Sequence, residues 1–262
     1  MERAERMVRD GVGYIVMNDP DHLNPLDTAM DDALWDALQA HEADPAVRVI
    51  VLAGRGRAFS AGGDMRFFRE QLDKNDYEAL DSVLFHVNRL ILQIKEMRKL
   101  VIAAVQGHAA GGGACLMMAA DFVVADETLR FSVPFTKIGL APDAGCMYLL
   151  SRITGAGKAL DICVRHPVIG AEEAGSLGLV TLLAPQGEAL AQAESFARHL
   201  AAGPLYAFEL AKRQNYAANF GDFRAYLRET EAKTVGAAFR SEDFAESVRA
   251  FGEKRPPVYR GK

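Results

Sequence analysis

The chain has 262 residues, 50% of them hydrophobic and 25% charged, the balance of an ordinary globular protein long enough to bury a full core. A formal net charge of −5 excludes a general nucleic-acid binder, which needs a basic face. It leaves room for an anionic small ligand, since a few local Lys and Arg suffice.

The N-terminus, MERAERMVRDG, is charged and has no apolar core, so no signal peptide is expected there. GVGYIVM (11–17) alternates and predicts a strand. Met30, Leu34, Trp35 and Leu38 then recur at helical spacing, with Asp27 placed as N-cap. VRVIVLAG (47–54) predicts a buried strand, which makes a strand–helix–strand unit, and GRGRAFSAGGD (54–64) follows as a glycine-rich loop. A long helix is predicted over 76–98. LVIAAVQGHAAGGGACLMMAADFVVA is the longest apolar run. Gln106, His108, glycines and Asp121 interrupt it, so it reads as strand, turn, helix and strand rather than a membrane span. LRFSVP (129–134) and VTLLAP (180–185) complete the strand signal. From about residue 186 the pattern is helical, punctuated by Pro204, Gly221 and Ser241. The expected architecture is α/β followed by an all-helical region. The apolar faces of that region must pack on the chain's own core or on a neighbouring subunit.

Cys115, Cys146 and Cys163 form no CxxC pair and are odd in number, which favours a reduced, cytoplasmic compartment. The six histidines make no HExxH and no Cys/His cluster, so no metal is expected. Neither glycine cluster is GxGxxG. TGAGKAL (154–160) is no P-loop, because Arg152 and Ala159 stand where Gly and Ser or Thr are required, and no GxSxG elbow occurs. The clusters AFSAGGD and HAAGGGACLMM are tight turns, or they bring two backbone amides to one oxygen as an oxyanion hole. PFTKIGLAPDAG (134–145) carries one acid, Asp143, in an apolar, glycine-containing stretch. Asp143 is either the N-cap of the helical AGCMYLLSRI or a proton carrier in a desolvated site.

In this order, LNPLD, RGRAFSAGGDM, VIAAVQGHAAGGGACLMMAADFVVA, FSVPFTKIGLAPDAG, GAEEAGSLGLV and FGEKR resemble the enoyl-CoA hydratase/isomerase (crotonase) family. The resemblance covers nearly the whole chain. It implies a spiral of ββα turns over residues 1–200, with a helical region over 201–262 that completes a homotrimer or dimer of trimers. It implies an acyl-CoA thioester as substrate, with CoA part of the substrate and no separate cofactor; the charge and the interrupted apolar run already speak against nucleic acid and membrane as partners. It places the oxyanion amides at Gly63 and Gly112, and CoA contacts at Ala61, Asp64, Met65, Phe251 and Lys254.

The departures are as informative. The family's hydratases carry two water-holding glutamates, where this chain has Cys115 and Phe135. Asp143 matches a position that is aspartate in several non-hydratases. These are dienoyl-CoA isomerases, 4-chlorobenzoyl-CoA dehalogenases and the ring-1,2-epoxyphenylacetyl-CoA isomerase group. FTKIGLAPDAG followed by LLSRITGAGKAL is most similar to the last. The expected activity is therefore an isomerase that shifts a double bond, or rearranges a ring epoxide, through a thioester enolate, with Asp143 as acid and base. The alternatives are a weak hydratase, a thioester hydrolase or dehalogenase with Asp143 as nucleophile, and a non-catalytic acyl-CoA binder. Loop residues between about 65 and 85 are expected to line the acyl pocket. Asp64 is expected to bond loop amides, Asp121 to cap a strand turn and His108 to sit near the site. Arg55, Arg57 and Arg66 would either meet CoA phosphates or form a solvated loop.

Overall fold

Four apolar runs, VGYIVM, VIVLAG, LVIAAV and FVVAD, become neighbouring strands in the computed structural model, which describes residues 2–262. They pair in parallel (Val12–Met17 with Val49–Gly54, then Leu100–Val105, then Phe122–Asp126). A parallel sheet must be covered on both faces, which is why VIVLAG and LVIAAV are apolar throughout rather than alternating. Leu182–Ala184 adds a parallel edge, and Ala4–Arg9 adds an antiparallel one. The second edge lies in the charged terminus, where the sequence gives no strand signal. Only Ala4 of it is buried, and the ladder to Val12–Met17 holds the rest.

After each of three central strands the chain turns and lays down a short second strand: Ala58–Ser60, His108–Ala110 and Arg130–Ser132. These pair with one another in parallel, and Ile169–Gly170 closes the edge antiparallel. A helix follows the first two, Met65–Lys74 and Gly112–Ala119. The result is the spiral of ββα turns that the resemblance implies. The glycine segments are thus partly strand where the sequence predicts loop and turn. Gly62–Gly63 also pairs with Pro25–Leu26. Within these glycine-rich segments, strands of two or three residues leave no periodic signal.

Asp27 caps the helix Thr28–Ala43, its carboxylate accepting from the Met30 amide at 2.8 Å. Met30, Leu34 and Leu38 are buried as their spacing predicts. The C-terminal part forms the helices Ala189–Ala201, Leu205–Asn219 and Glu242–Gly252, the last capped by Ser241. Between them, 223–239 is not one regular helix, because a π-helical turn at Leu227–Glu231 interrupts it. Phe223, Leu227, Val235, Phe239 and Phe244 join the main core, and Phe223 stacks on Tyr148 at 4.4 Å. Lys212 is buried and donates to the carbonyls of Ile94 and Lys99, both at 2.8 Å, and to Asp121 at 2.7 Å. Asp121 also accepts from the Val101 amide at 2.8 Å. Among the described residues, no helix is long and apolar enough to cross a membrane.

Candidate active site

The two glycine segments meet. Gly62 has φ +83°, and a Cβ there would lie 2.5 Å from the Ala110 carbonyl oxygen and 3.1 Å from the Gly112 nitrogen. Only glycine permits this approach, which brings the neighbouring Gly63 and the start of the helix Gly112–Ala119 to one cavity of about 210 Å³. The Gly112 N–H is the first of its helix. It has no intrahelical acceptor and lies at the positive end of the dipole. Gly62→Ala is expected to cost stability and to push the two segments apart. If the two amides act as an oxyanion pair, losing one donor is worth about 2.7–4 kcal/mol, so kcat should fall by about 10²-fold or more, alongside a lowered Tm. Unchanged kcat would show that the spacing of these segments does not matter.

The cavity wall is mostly apolar, formed by Leu26, Phe67, Phe68, Val83, Leu84 and Phe135 among others. Residues of the predicted acyl-pocket region do line it. They stand on the helices Met65–Lys74 and Tyr77–Glu96, however, not on a loop.

Asp143 borders this cavity. It is not a helix N-cap. The helix Cys146–Thr154 is capped by Gly145 and takes no side-chain cap bond, and Asp143 contributes only its backbone carbonyl, to the Cys146 amide at 2.8 Å. The two residues after it, Ala144 (φ +52°) and Gly145 (φ +70°), are both left-handed and separate Asp143 from the helix. A non-glycine residue held there stores strain, which is concentrated at functional sites. Desolvation pushes the Asp143 carboxyl up to about 7.

Two further carboxyls border the cavity, and they are unlike Asp143. Asp64 caps the helix Met65–Lys74 through the Arg66 amide at 2.8 Å and pairs with the Arg66 side chain at 2.7 Å. Burial opposes its ionisation, but the Arg66 bonds outweigh burial and hold its pKa below the usual range. Asp31 stands in the first turn of the helix Thr28–Ala43. It is fully buried, and neither of its oxygens has a hydrogen-bond partner among the described residues. Burial first, then the charge of Asp27, raises its pKa well above the usual range.

Behind Asp143 lies Glu231, from the π-helical turn, 1% exposed. It accepts from the Gly145 amide at 2.9 Å and from the Asn88 side chain at 3.1 Å. Desolvation, then the charge of Asp143, pushes it up to about 8. Glu231 thereby ties the Asp143 turn to the C-terminal helices.

The structure brings Ala61, Gly63, Asp64, Met65, Gly112, Phe135, Asp143 and Phe251 to one cavity. It does not bring Cys115 or Lys254 to its wall. Cys115 is fully buried inside the helix Gly112–Ala119, behind Asp143, with its Sγ 3.6 Å from the Asp143 carbonyl. Lys254 follows the last helix, exposed and left-handed at φ +55°. His108 is exposed on its strand and does not border the cavity. Of the loop arginines, Arg66 is engaged by Asp64 and Arg55 by Glu5.

Asp31 and Glu231 are absent from the sequence-derived candidates. Both had a signal. Asp31 precedes Leu34, Trp35 and Leu38 by three, four and seven residues, so it lies on the apolar face. Glu231 stands midway between Leu227 and Val235, four residues from each. An acid in an apolar stripe is the pattern that both share.

The family model described as enoyl-CoA hydratase/isomerase matches residues 7–262. A protein of Rhodobacter capsulatus named "Probable enoyl-CoA hydratase" is 38% identical over 261 residues, covering 97% of this chain and 96% of the relative. The 1,2-epoxyphenylacetyl-CoA isomerase of Escherichia coli strain K12 is 32% identical, covering 100% of both chains. The crystal structure of an enoyl-CoA hydratase from Mycobacterium avium subsp. paratuberculosis K-10 matches with a TM-score of 0.88 at 31% identity, covering 98% of each chain.

Proposed function

Because the chain belongs to the enoyl-CoA hydratase/isomerase family, we propose that it is an acyl-CoA isomerase in which Asp143 carries the proton. The amides of Gly63 and Gly112 would hold the thioester oxygen and stabilise the enolate. For a 3-enoyl-CoA, ionised Asp143 takes a proton from C2. Electron density moves onto the thioester oxygen and over C2 to C4. The protonated carboxyl then returns the proton at C4, leaving the double bond between C2 and C3. One group performs both transfers, and the overall reaction balances without a further reagent.

The observation that carries this reading is the contrast among the three carboxyls at the cavity. A proton carrier works best with a pKa near the operating pH, where it is available both as base and as acid. Asp64 is held low by Arg66 and Asp31 is held high by burial, while Asp143 stands at about 7. Against hydration stands the replacement of the two glutamates of the family's hydratases by Cys115 and Phe135. Phe135 makes that wall apolar, and Cys115 is out of reach.

The test is product analysis in deuterated water. A 3-enoyl-CoA is expected to give the 2-enoyl-CoA, with no build-up of the 3-hydroxyacyl-CoA, as followed by mass spectrometry. A 3-hydroxyacyl-CoA as main product would make the enzyme a hydratase. A trapped acyl ester on Asp143 would make that residue a nucleophile.

A further inference from the structure

Asp31 plays no part in the reaction proposed above, yet it is the most anomalous side chain at the cavity. It sits on the wall with no surface exposed to solvent, and neither carboxyl oxygen is paired. Buried polar groups in native proteins are almost always hydrogen-bonded, and an unmet one calls for an explanation. Helix formation does not supply it. The cap of this helix is Asp27, which already takes the Met30 amide, and the Asp31 amide goes to the Asp27 carbonyl at 2.9 Å. Ion pairing does not supply it either. Arg89, the cation that acts on its charge, bonds the neighbouring Asp32 through Nη2 and leaves its own buried Nε unpaired. Leu26 and Val87, which share this wall, come close to Gly112: a Cβ on Gly112 would lie 3.2 Å from Leu26 and 4.0 Å from Val87. Asp31 thus lines the same cavity as Leu26, Val87 and Gly112, in which an acyl group would lie if its thioester oxygen were held at Gly112.

We propose that Asp31 is a specificity-determining residue, selecting an acyl group that bears a hydroxyl or carbonyl oxygen beyond the thioester. The inference rests on the acyl-CoA reading of the site. A neutral carboxyl offers one donor and a remaining acceptor, which a hydroxyl satisfies on both sides and a carbonyl on one. A plain alkyl chain leaves both unmet. Sites built around a buried polar group discriminate strongly against ligands lacking its partner, because that group is then left unpaired. Asp31 is also unsuited to a second proton-transfer role, since burial, Asp27, Asp32 and Asp143 all oppose its ionisation and only Arg89 favours it.

The experiment is calorimetric titration with hexanoyl-CoA and with its 4-, 5- and 6-hydroxy analogues, using wild type, Asp31→Leu and Asp31→Asn. The wild type is expected to bind at least one hydroxy analogue about tenfold or more tightly than hexanoyl-CoA. Asp31→Leu should lose that preference, bind hexanoyl-CoA more tightly than the wild type does, and melt at a higher temperature. Asp31→Asn keeps a donor and an acceptor, so it should keep the preference. It also serves as the folded control should the leucine variant misfold. Equal binding of all four thioesters by the wild type, or a preference surviving in Asp31→Leu, overturns the proposal. If hexanoyl-CoA and the analogues are discriminated but no 3-enoyl-CoA is isomerised, the isomerase reading fails and the subsite stands. If no thioester binds, both fall.

Discussion

Asp143→Asn is expected to lower kcat/KM for double-bond migration by about 10²–10⁴-fold, the usual contribution of a positioned general acid–base group. The amide keeps the shape of the side chain and cannot take the proton. Thioester binding should change far less than turnover, since the Gly63 and Gly112 segments and the apolar wall remain. The pH profile carries the sharper test. Desolvation places the Asp143 carboxyl at about 7, and it must start ionised to act as base. The wild-type kcat/KM should therefore rise with pH through about 7 and then level off, while the residual activity of Asp143→Asn should lack that limb. A profile already flat at pH 5, or an Asn variant with wild-type rates, would remove Asp143 from the chemistry.

The same shift has a consequence for stability, of opposite sign to the activity. A carboxyl whose pKa is raised on folding binds its proton more tightly in the native state. Its contribution is full below the unfolded pKa and is lost as pH rises through the folded value. Asp143 at about 7 and Glu231 at about 8 both act this way, each at about 1.4 kcal/mol per pH unit at most. The Tm should fall between pH 5 and pH 8. Asp143→Asn should flatten that fall and be the more stable protein at pH 8. An inactive variant that is also stabilised cannot owe its inactivity to misfolding.

Legibility in the sequence followed the length of the signal. The parallel strands were readable because burial on both faces writes unbroken apolar runs such as VIVLAG and LVIAAV. Asp27 and Ser241 were readable as helix starts because capping is local chemistry. Ala58–Ser60 and His108–Ala110 were not readable as strands, since three residues carry no period and their partners lie tens of residues away. The choice between cap and cavity for Asp143 could not be made from sequence. It depends on two consecutive left-handed residues, one of them Ala144, a residue with no particular preference for that conformation. Glu231 escaped for a related reason. It lies 86 residues after the Gly145 amide it accepts from, and its π-helical turn looks like ordinary helix in the sequence.

Lys212→Met should be the most destabilising single change outside the apolar core, by about 3–5 kcal/mol, the cost of removing one partner from a buried ion pair. Lys212 is 8% exposed, and its ammonium has all three of its donors placed, at 2.7–2.8 Å, on Asp121 and on the carbonyls of Ile94 and Lys99. Those acceptors join the end of the helix Tyr77–Glu96, the turn before the strand Leu100–Val105 and the turn before Phe122–Asp126. Methionine fills the volume and leaves the Asp121 charge with only the Val101 amide and two carbonyls without their donor. The buried pair itself need not be worth much, because its attraction offsets a large desolvation cost. The double variant Lys212→Met with Asp121→Asn should therefore recover part of the loss, and urea unfolding of the four proteins measures the coupling. Lys212 does not border the cavity, so the single variant should retain the wild-type pH–activity profile while folded. A loss below about 1 kcal/mol would mean that packing alone, and not this ammonium, docks the helix Leu205–Asn219 on the sheet.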